Sequence, residues 1–259
     1  MKIQYCSDLH LEFPENQRFL ARNPLKAVGD ILVLAGDVVT FPDQEKARGF
    51  FDFVCDHFAA VYWVPGNHEY YGADIADKPN PLFERIRDNL YLINNQSIIH
   101  DGVRLVFSTL WGRISPDRDC DIQRSVADFS AISLRGETLT ARNFSLLHEE
   151  SLRFLRTAIS TAGKEPTIVV SHHVPTLMHY PRVYKNSPLT EAFAVELFDL
   201  IADSAIDCWI YGHHHVNTPD FNIENTRMLT NQLGYVHRYE YRSFERGKAV
   251  EAEVAKKFS

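Results

Sequence analysis

The chain has no apolar run approaching the ~20 residues needed to span a bilayer, and its N-terminus, Met1-Lys2-Ile3-Gln4-Tyr5-Cys6-Ser7-Asp8, turns polar too early for an export signal. A protein without membrane insertion, cytoplasmic in location, is the expectation. Cysteine is sparse: Cys6, Cys55, Cys120 and Cys208 stand far apart and none forms a C-x-x-C pair. A disulfide framework and a zinc knuckle are both disfavoured, and Cys6 and Cys208 lie in apolar, strand-like runs where a thiol behaves as a small hydrophobe. Basic charge is also short, since 27 Lys and Arg face 34 Asp and Glu for a formal net charge of -7. That balance disfavours a nucleic-acid backbone as partner but leaves room for a small phosphorylated substrate. There is no internal repeat and no low-complexity segment.

What is present suits one catalytic domain. At 259 residues and 45% hydrophobic, the chain can bury a substantial core near the upper size of a single domain. Apolar, β-branched runs at 3–7, 30–35, 60–64, 167–170 and 208–211 read as buried parallel strands. Helical spacing marks 43–58, 143–162 and 189–202, with a short helix at 80–89. Residues 90–99 and 103–109 read as a hairpin around Asp101-Gly102, and Glu245-Arg246-Gly247-Lys248 as a hairpin turn in the loosely alternating tail 228–258. The least periodic stretch, 112–142, is the expected lid or substrate-specific insertion, because long loops on rigid scaffolds commonly supply binding residues.

The strands run into polar blocks: Asp8-Leu9-His10, Gly36-Asp37, Gly66-Asn67-His68-Glu69, His172-His173 and Gly212-His213-His214-His215. Carboxylate, amide and imidazole donors brought from several strand ends to one point are what a pair of divalent ions requires. Asp8 and His10, like His213 and His215, are two apart, so on extended backbone they point the same way. A carboxylate such as Asp37 can place one oxygen on each ion, and the glycine before it lets the backbone approach.

In order and content these blocks resemble the calcineurin-like metallophosphoesterase family, whose pattern is D-x-H, G-D, G-N-H-D/E, H and G-H-x-H. The resemblance covers positions 8 to 215. It implies a four-layer α/β/β/α sandwich of two mixed sheets, and two divalent metal ions, with Mn foremost and Fe, Zn, Co or Ni as alternatives. By family role, Asp8, His10 and His215 bind the first ion, Asn67, His172 and His213 the second, and Asp37 bridges them. His68 stands over the phosphoryl group as a catalytic residue, aided by His10, and Glu69 orients His68 or braces its loop. A bridging hydroxide then attacks phosphorus in line.

The second block continues Val38-Val39-Thr40-Phe41-Pro42 and lacks the Asp-Arg-Gly of the family's protein phosphatases, while His10 is the histidine that its phosphodiesterases keep. A small-molecule phosphodiesterase, with a cyclic nucleotide among the candidates, is therefore expected; a phosphomonoesterase, a nuclease and a non-catalytic scaffold are the alternatives. His173, His214, Trp111, Arg113, Arg182 and Tyr184 are candidates for substrate contact or support of the ligands. By strand alternation His173 and His214 point away from the metals. Oligomeric state is left open.

Overall fold

The computed structural model describes residues 1–253. Its first part contains β1 (Lys2–Cys6), α1 (Pro14–Arg22), β2 (Ile31–Ala35), α2 (Arg48–His57), β3 (Ala60–Val64), β4 (Leu82–Arg87), β5 (Leu90–Asn94), β6 (Gln96–His100) and β7 (Val103–Ser108). Then follow α3 (Asp119–Ser125), α4 (Asp128–Ala131), β8 (Ser133–Leu134), β9 (Glu137–Thr138), α5 (Ala141–Ser160) and β10 (Thr167–Ser171). The last part holds α6 (Phe198–Ala202), β11 (Cys208–Tyr211), β12 (Phe221–Ile223), β13 (Thr226–Thr230) and β14 (Ala249–Glu251).

Two six-stranded sheets result, ordered β14-β1-β2-β3-β5-β4 and β12-β13-β11-β10-β7-β6. In each, four central strands are parallel and the two edge strands antiparallel. Central strands covered on both faces must be apolar throughout, and β2, β3 and β10 are buried at every residue. Alternate side chains divide between two cores. Ile3, Tyr5, Ile31, Val33, Tyr62 and Val64 meet Leu105, Phe107, Ile168, Val170 and Ile210 between the sheets. On the outer faces, Leu32, Leu34 and Trp63 pack on Phe51 and Val54 of α2, and Val106, Val169 and Trp209 pack on Leu155 and Ala158 of α5. This is the expected α/β/β/α sandwich. Truncating Phe51, 2% exposed, to alanine would cost about 3–5 kcal/mol.

Three element readings are corrected. Residues 82–87 form an edge strand where a helix was expected, because their backbone pairs antiparallel with β5. The expected single strand 90–99 breaks at Asn95, whose φ of 47° turns the chain from β5 in the first sheet to β6 in the second. The expected helix 189–202 is a 3₁₀ turn at Thr190–Ala192, an extended stretch and the short α6. The turn at Glu245–Lys248 is present, with Lys248 N facing Glu245 O. It leads into β14 beside β1, so it does not close a hairpin; residues 254–258 of the expected tail lie outside the described residues. Segment 112–142 is less irregular than its sequence: α3, α4 and the β8–β9 hairpin bury Ile114, Ile122, Phe129, Ile132 and Leu139 against Trp111 and Phe144. No helix among the described residues is long and apolar enough to cross a membrane.

Candidate metal centre

Because the central strands of each sheet are parallel, their C-terminal ends open on one edge, and the polar blocks meet there. The means of convergence differs from simple strand alternation. Asp8, His10, Asp37, His213 and His215 all have left-handed φ, between 46° and 82°. The turn of the first block sends Asp8 and His10 inward and drops Leu9 and Leu11 into the core. Such strain persists where surrounding bonds over-determine it: Asp8 N donates to Gly36 O (2.9 Å) and His10 N to Asp37 O (2.9 Å).

Two donor groups lie side by side. Asp8, His10, Asp37 and His215 each offer an atom within 4.8 Å of the others, as do Asp37, His172 and His213, so Asp37 belongs to both. Asn67 Oδ1 is 3.1 Å from His172 Nε2, completing the second group. Inward ring nitrogens face one another, His10 Nε2 to His215 Nε2 at 2.9 Å and His172 Nε2 to His213 Nδ1 at 3.0 Å. Only a shared proton or a shared cation makes such an approach favourable, so the donor set fits a pair of metal ions. The outer nitrogens are engaged: His172 Nδ1 by Ala35 O (2.9 Å), His215 Nδ1 by Glu240 (2.7 Å) and His10 Nδ1 by Glu12 (3.1 Å). Acceptors of this kind fix a ligand's tautomer and raise its basicity.

The charges are tightly balanced. Burial alone would raise the Asp37 carboxyl, but the His172, His68 and His10 imidazoles hold it well below the ordinary carboxylate range. Burial likewise opposes charge on His172, yet Asp37 outweighs it and pushes the imidazole up to about 9. His215 rises to about 10, burial being overcome by its bonds to Asp8 and Glu240.

Glu69 is buried and braces the turns. Its oxygens accept from Gly66 N (2.6 Å), Val38 N (2.7 Å), Asp37 N (2.9 Å) and Trp63 Nε1 (2.9 Å), and it makes no bond to His68. His68 is held otherwise: its ring stacks on Tyr71 at 4.1 Å, Nδ1 meets Glu12 at 3.0 Å and Nε2 lies 3.2 Å from the Tyr235 hydroxyl.

The remaining candidates separate. Tyr184 and His214 line a cavity of about 360 Å³ over Asp37, Asn67 and His68. His173 is fully buried and its ring lies tilted against that of His213, with centroids 4.1 Å apart, a contact that alternation did not anticipate. Trp111 is buried in the apolar cluster of segment 112–142, with ring contacts to Tyr70 and His173. Arg113 and Arg182 are exposed and line no part of the cavity.

Sequence reasoning missed Glu12, Asp128, Tyr235, Arg238 and Glu240. Asp128, buried in segment 112–142, accepts from Asn67 Nδ2 (2.8 Å) and the Tyr71 hydroxyl (2.7 Å), which fixes the face that Asn67 presents. Glu12 was within reach of the argument, since it extends the two-residue period of Asp8 and His10. The others lie far along the chain from any block and carried no local signal. His148 of α5 is buried with Nδ1 3.1 Å from the Leu110 and Trp111 carbonyls.

A two-sheet sandwich with clustered carboxylate, amide and imidazole donors at its open strand ends defines a dinuclear metal-dependent phosphoesterase. Residues 1–217 match the family profile described as calcineurin-like phosphoesterase, and the chain belongs to that family. It is 30% identical over 260 residues to an uncharacterised protein of Acanthamoeba polyphaga mimivirus, covering 91% of each. Among solved structures it resembles the phosphopantetheinyl hydrolase of Mycobacterium tuberculosis, with a TM-score of 0.69, 18% identity and coverage of 96% of this chain and 95% of that one. A dimetal phosphatase from Danio rerio gives a TM-score of 0.45 at 13% identity, over 90% of this chain and 87% of the other.

Proposed function

We propose that the protein hydrolyses a small phosphoric diester, a cyclic nucleotide being one candidate. The carrying observation is the cleft of about 360 Å³ above the two donor groups, within the size range of small-molecule sites. Its walls combine Val126, Leu189 and Phe193 with Tyr180 and Tyr184, and Arg238 is the cationic side chain among its lining residues. An ester with an apolar or planar alcohol part and a further negative group matches that lining.

In this reading Asp8, His10, Asp37 and His215 hold one ion and Asp37, Asn67, His172 and His213 the other, with Mn²⁺ the favoured metal for a mixed oxygen and nitrogen donor set and Fe, Zn, Co or Ni the alternatives. When bound, the ions supply a nucleophilic water and offset charge on the phosphoryl oxygens. The chain does the rest. His68 presents Nε2 at the cavity floor, held by Tyr71 and Tyr235; as the imidazolium, with Nδ1–H on Glu12, it delivers its Nε2 proton to the departing alkoxide. Asn67, held by Asp128, keeps its carbonyl inward. His10, the histidine that the family's phosphodiesterases keep in the D-x-H block, favours a diester.

The test is turnover by metal-stripped protein resupplied with Mn²⁺, using a chromogenic diester, the matching monoester, cyclic nucleotides and a phosphopantetheine ester, the last because the M. tuberculosis hydrolase is named for that group. Diester turnover that collapses in His68→Ala supports the reading. Exclusive monoester turnover refutes it.

A further inference from the structure

The turn after β1 carries Asp8, His10 and Glu12 on the site face and Leu9 and Leu11 in the core beneath. Glu12 is an acid whose side chain is only 8% exposed, and such groups are seldom buried without a partner. A single oxygen, Oε1, receives both histidines: His10 Nδ1 at 3.1 Å and His68 Nδ1 at 3.0 Å. The other, Oε2, has no hydrogen-bond partner among the described residues. The two rings meet edge to face with centroids 4.5 Å apart, so they form one packed unit around that oxygen. Glu12 itself does not line the cavity.

We propose that Glu12 is a positioning residue that ties the ligand His10 and the cavity-facing His68 to one carboxylate oxygen, so that both rings keep the proton on Nδ1 and turn Nε2 inward. The inference rests on the metallophosphoesterase assignment and is independent of which ester is hydrolysed. Its geometry is specific. A ligand ring rotated by loss of Glu12 would lose its aim at the first ion, and a rotated His68 would lose its alignment with the leaving oxygen. One acid therefore serves two otherwise separate tasks, whereas Glu240 serves His215 alone among the ring ligands.

Two measurements test this. In metal-free protein labelled with ¹⁵N-histidine, the imidazole couplings identify which nitrogen carries each proton; His10 and His68 are both expected with Nδ1–H, and at least one is expected to change in Glu12→Gln or Glu12→Ala. Mn²⁺ titration and steady-state kinetics then separate the arms. Glu12→Ala should lower metal affinity and kcat each by about 10–100-fold with KM unchanged, Glu12→Gln should lie between it and the parent, and His68→Ala should lower kcat alone. If the ring protons stay in place in both variants, or metal affinity is unaltered while kcat falls, the shared-oxygen role is overturned. Neither the spectra nor the metal titration requires a known substrate, so failure of the diester reading would leave this test intact.

Discussion

Gly66→Ala should damage the metal centre while leaving the fold in place. Gly66 follows β3 and, unlike Gly36, it does not have a left-handed φ, so an alanine there meets no backbone strain and only crowding counts. A Cβ at this position would lie 2.2 Å from Asp37 Oδ1 and 2.7 Å from His172 Nε2. Ordinary carbon contacts begin near 3.4 Å, so Asp37 must retreat by about 1 Å or the turn must open by as much. Asp37 belongs to both donor groups, and a displacement of about 1 Å in a reacting constellation costs on the order of 10²-fold in rate. Global stability should fall by only about 1–3 kcal/mol, the usual range for overpacking. Gly49→Ala is the control, because a Cβ in that helical position meets nothing within 4 Å and should stabilise by about 0.5–1 kcal/mol. Metal content after dialysis, kcat/KM and urea unfolding would be compared for the parent and both variants. A Gly66→Ala protein that keeps its metals at parental affinity and turns over normally would refute the claim that Asp37 has no room to move.

Asp128→Ala removes the acceptor of the buried Asn67 Nδ2 and of the half-buried Tyr71 hydroxyl; at about 1–3 kcal/mol for a buried unsatisfied group, the urea midpoint should drop clearly, and metal affinity with it. Arg238 lies over the Tyr235 ring at 5.1 Å, and Arg238→Ala should raise KM several-fold for esters bearing a second anionic group while changing KM little for neutral-tailed ones. Metal binding should release protons, about one for each facing pair of ring nitrogens. The sign follows from His172 and His215, raised to about 9 and about 10: both hold protons at neutral pH without metal, so apparent affinity climbs as pH rises toward those values. Calorimetry in two buffers of different ionisation enthalpy counts the protons; a buffer-independent enthalpy would contradict the prediction.

The central strands and the order of the polar blocks were legible because buried parallel strands need uninterrupted apolar runs and because donor residues at their ends have no apolar substitute. The edge was harder. Strand β4 carries Glu84, Arg85 and Arg87, charges that protect an edge from further pairing and that look like a helix in one dimension. Residues 189–202 have helical spacing, yet Val195 N donates to Val174 O and Leu197 N to Pro175 O, so pairing with the turn after β10 overrides local preference. The metal ligands were named through family resemblance, and their supports were not: Asp128, Tyr235 and Glu240 act through folding that brings distant turns together, which spacing along the chain does not encode. The arginines failed as candidates for the reason most surface arginines do, since proximity to a motif in sequence says nothing about facing its cavity.

The most direct test of the account is Mn²⁺ titration of metal-stripped protein beside its Asp37→Ala variant. Two ions per chain in the parent, with binding weakened at both sites by the single change, is the predicted result. One ion per chain, or a variant in which either site binds as before, would contradict a dinuclear centre joined through Asp37.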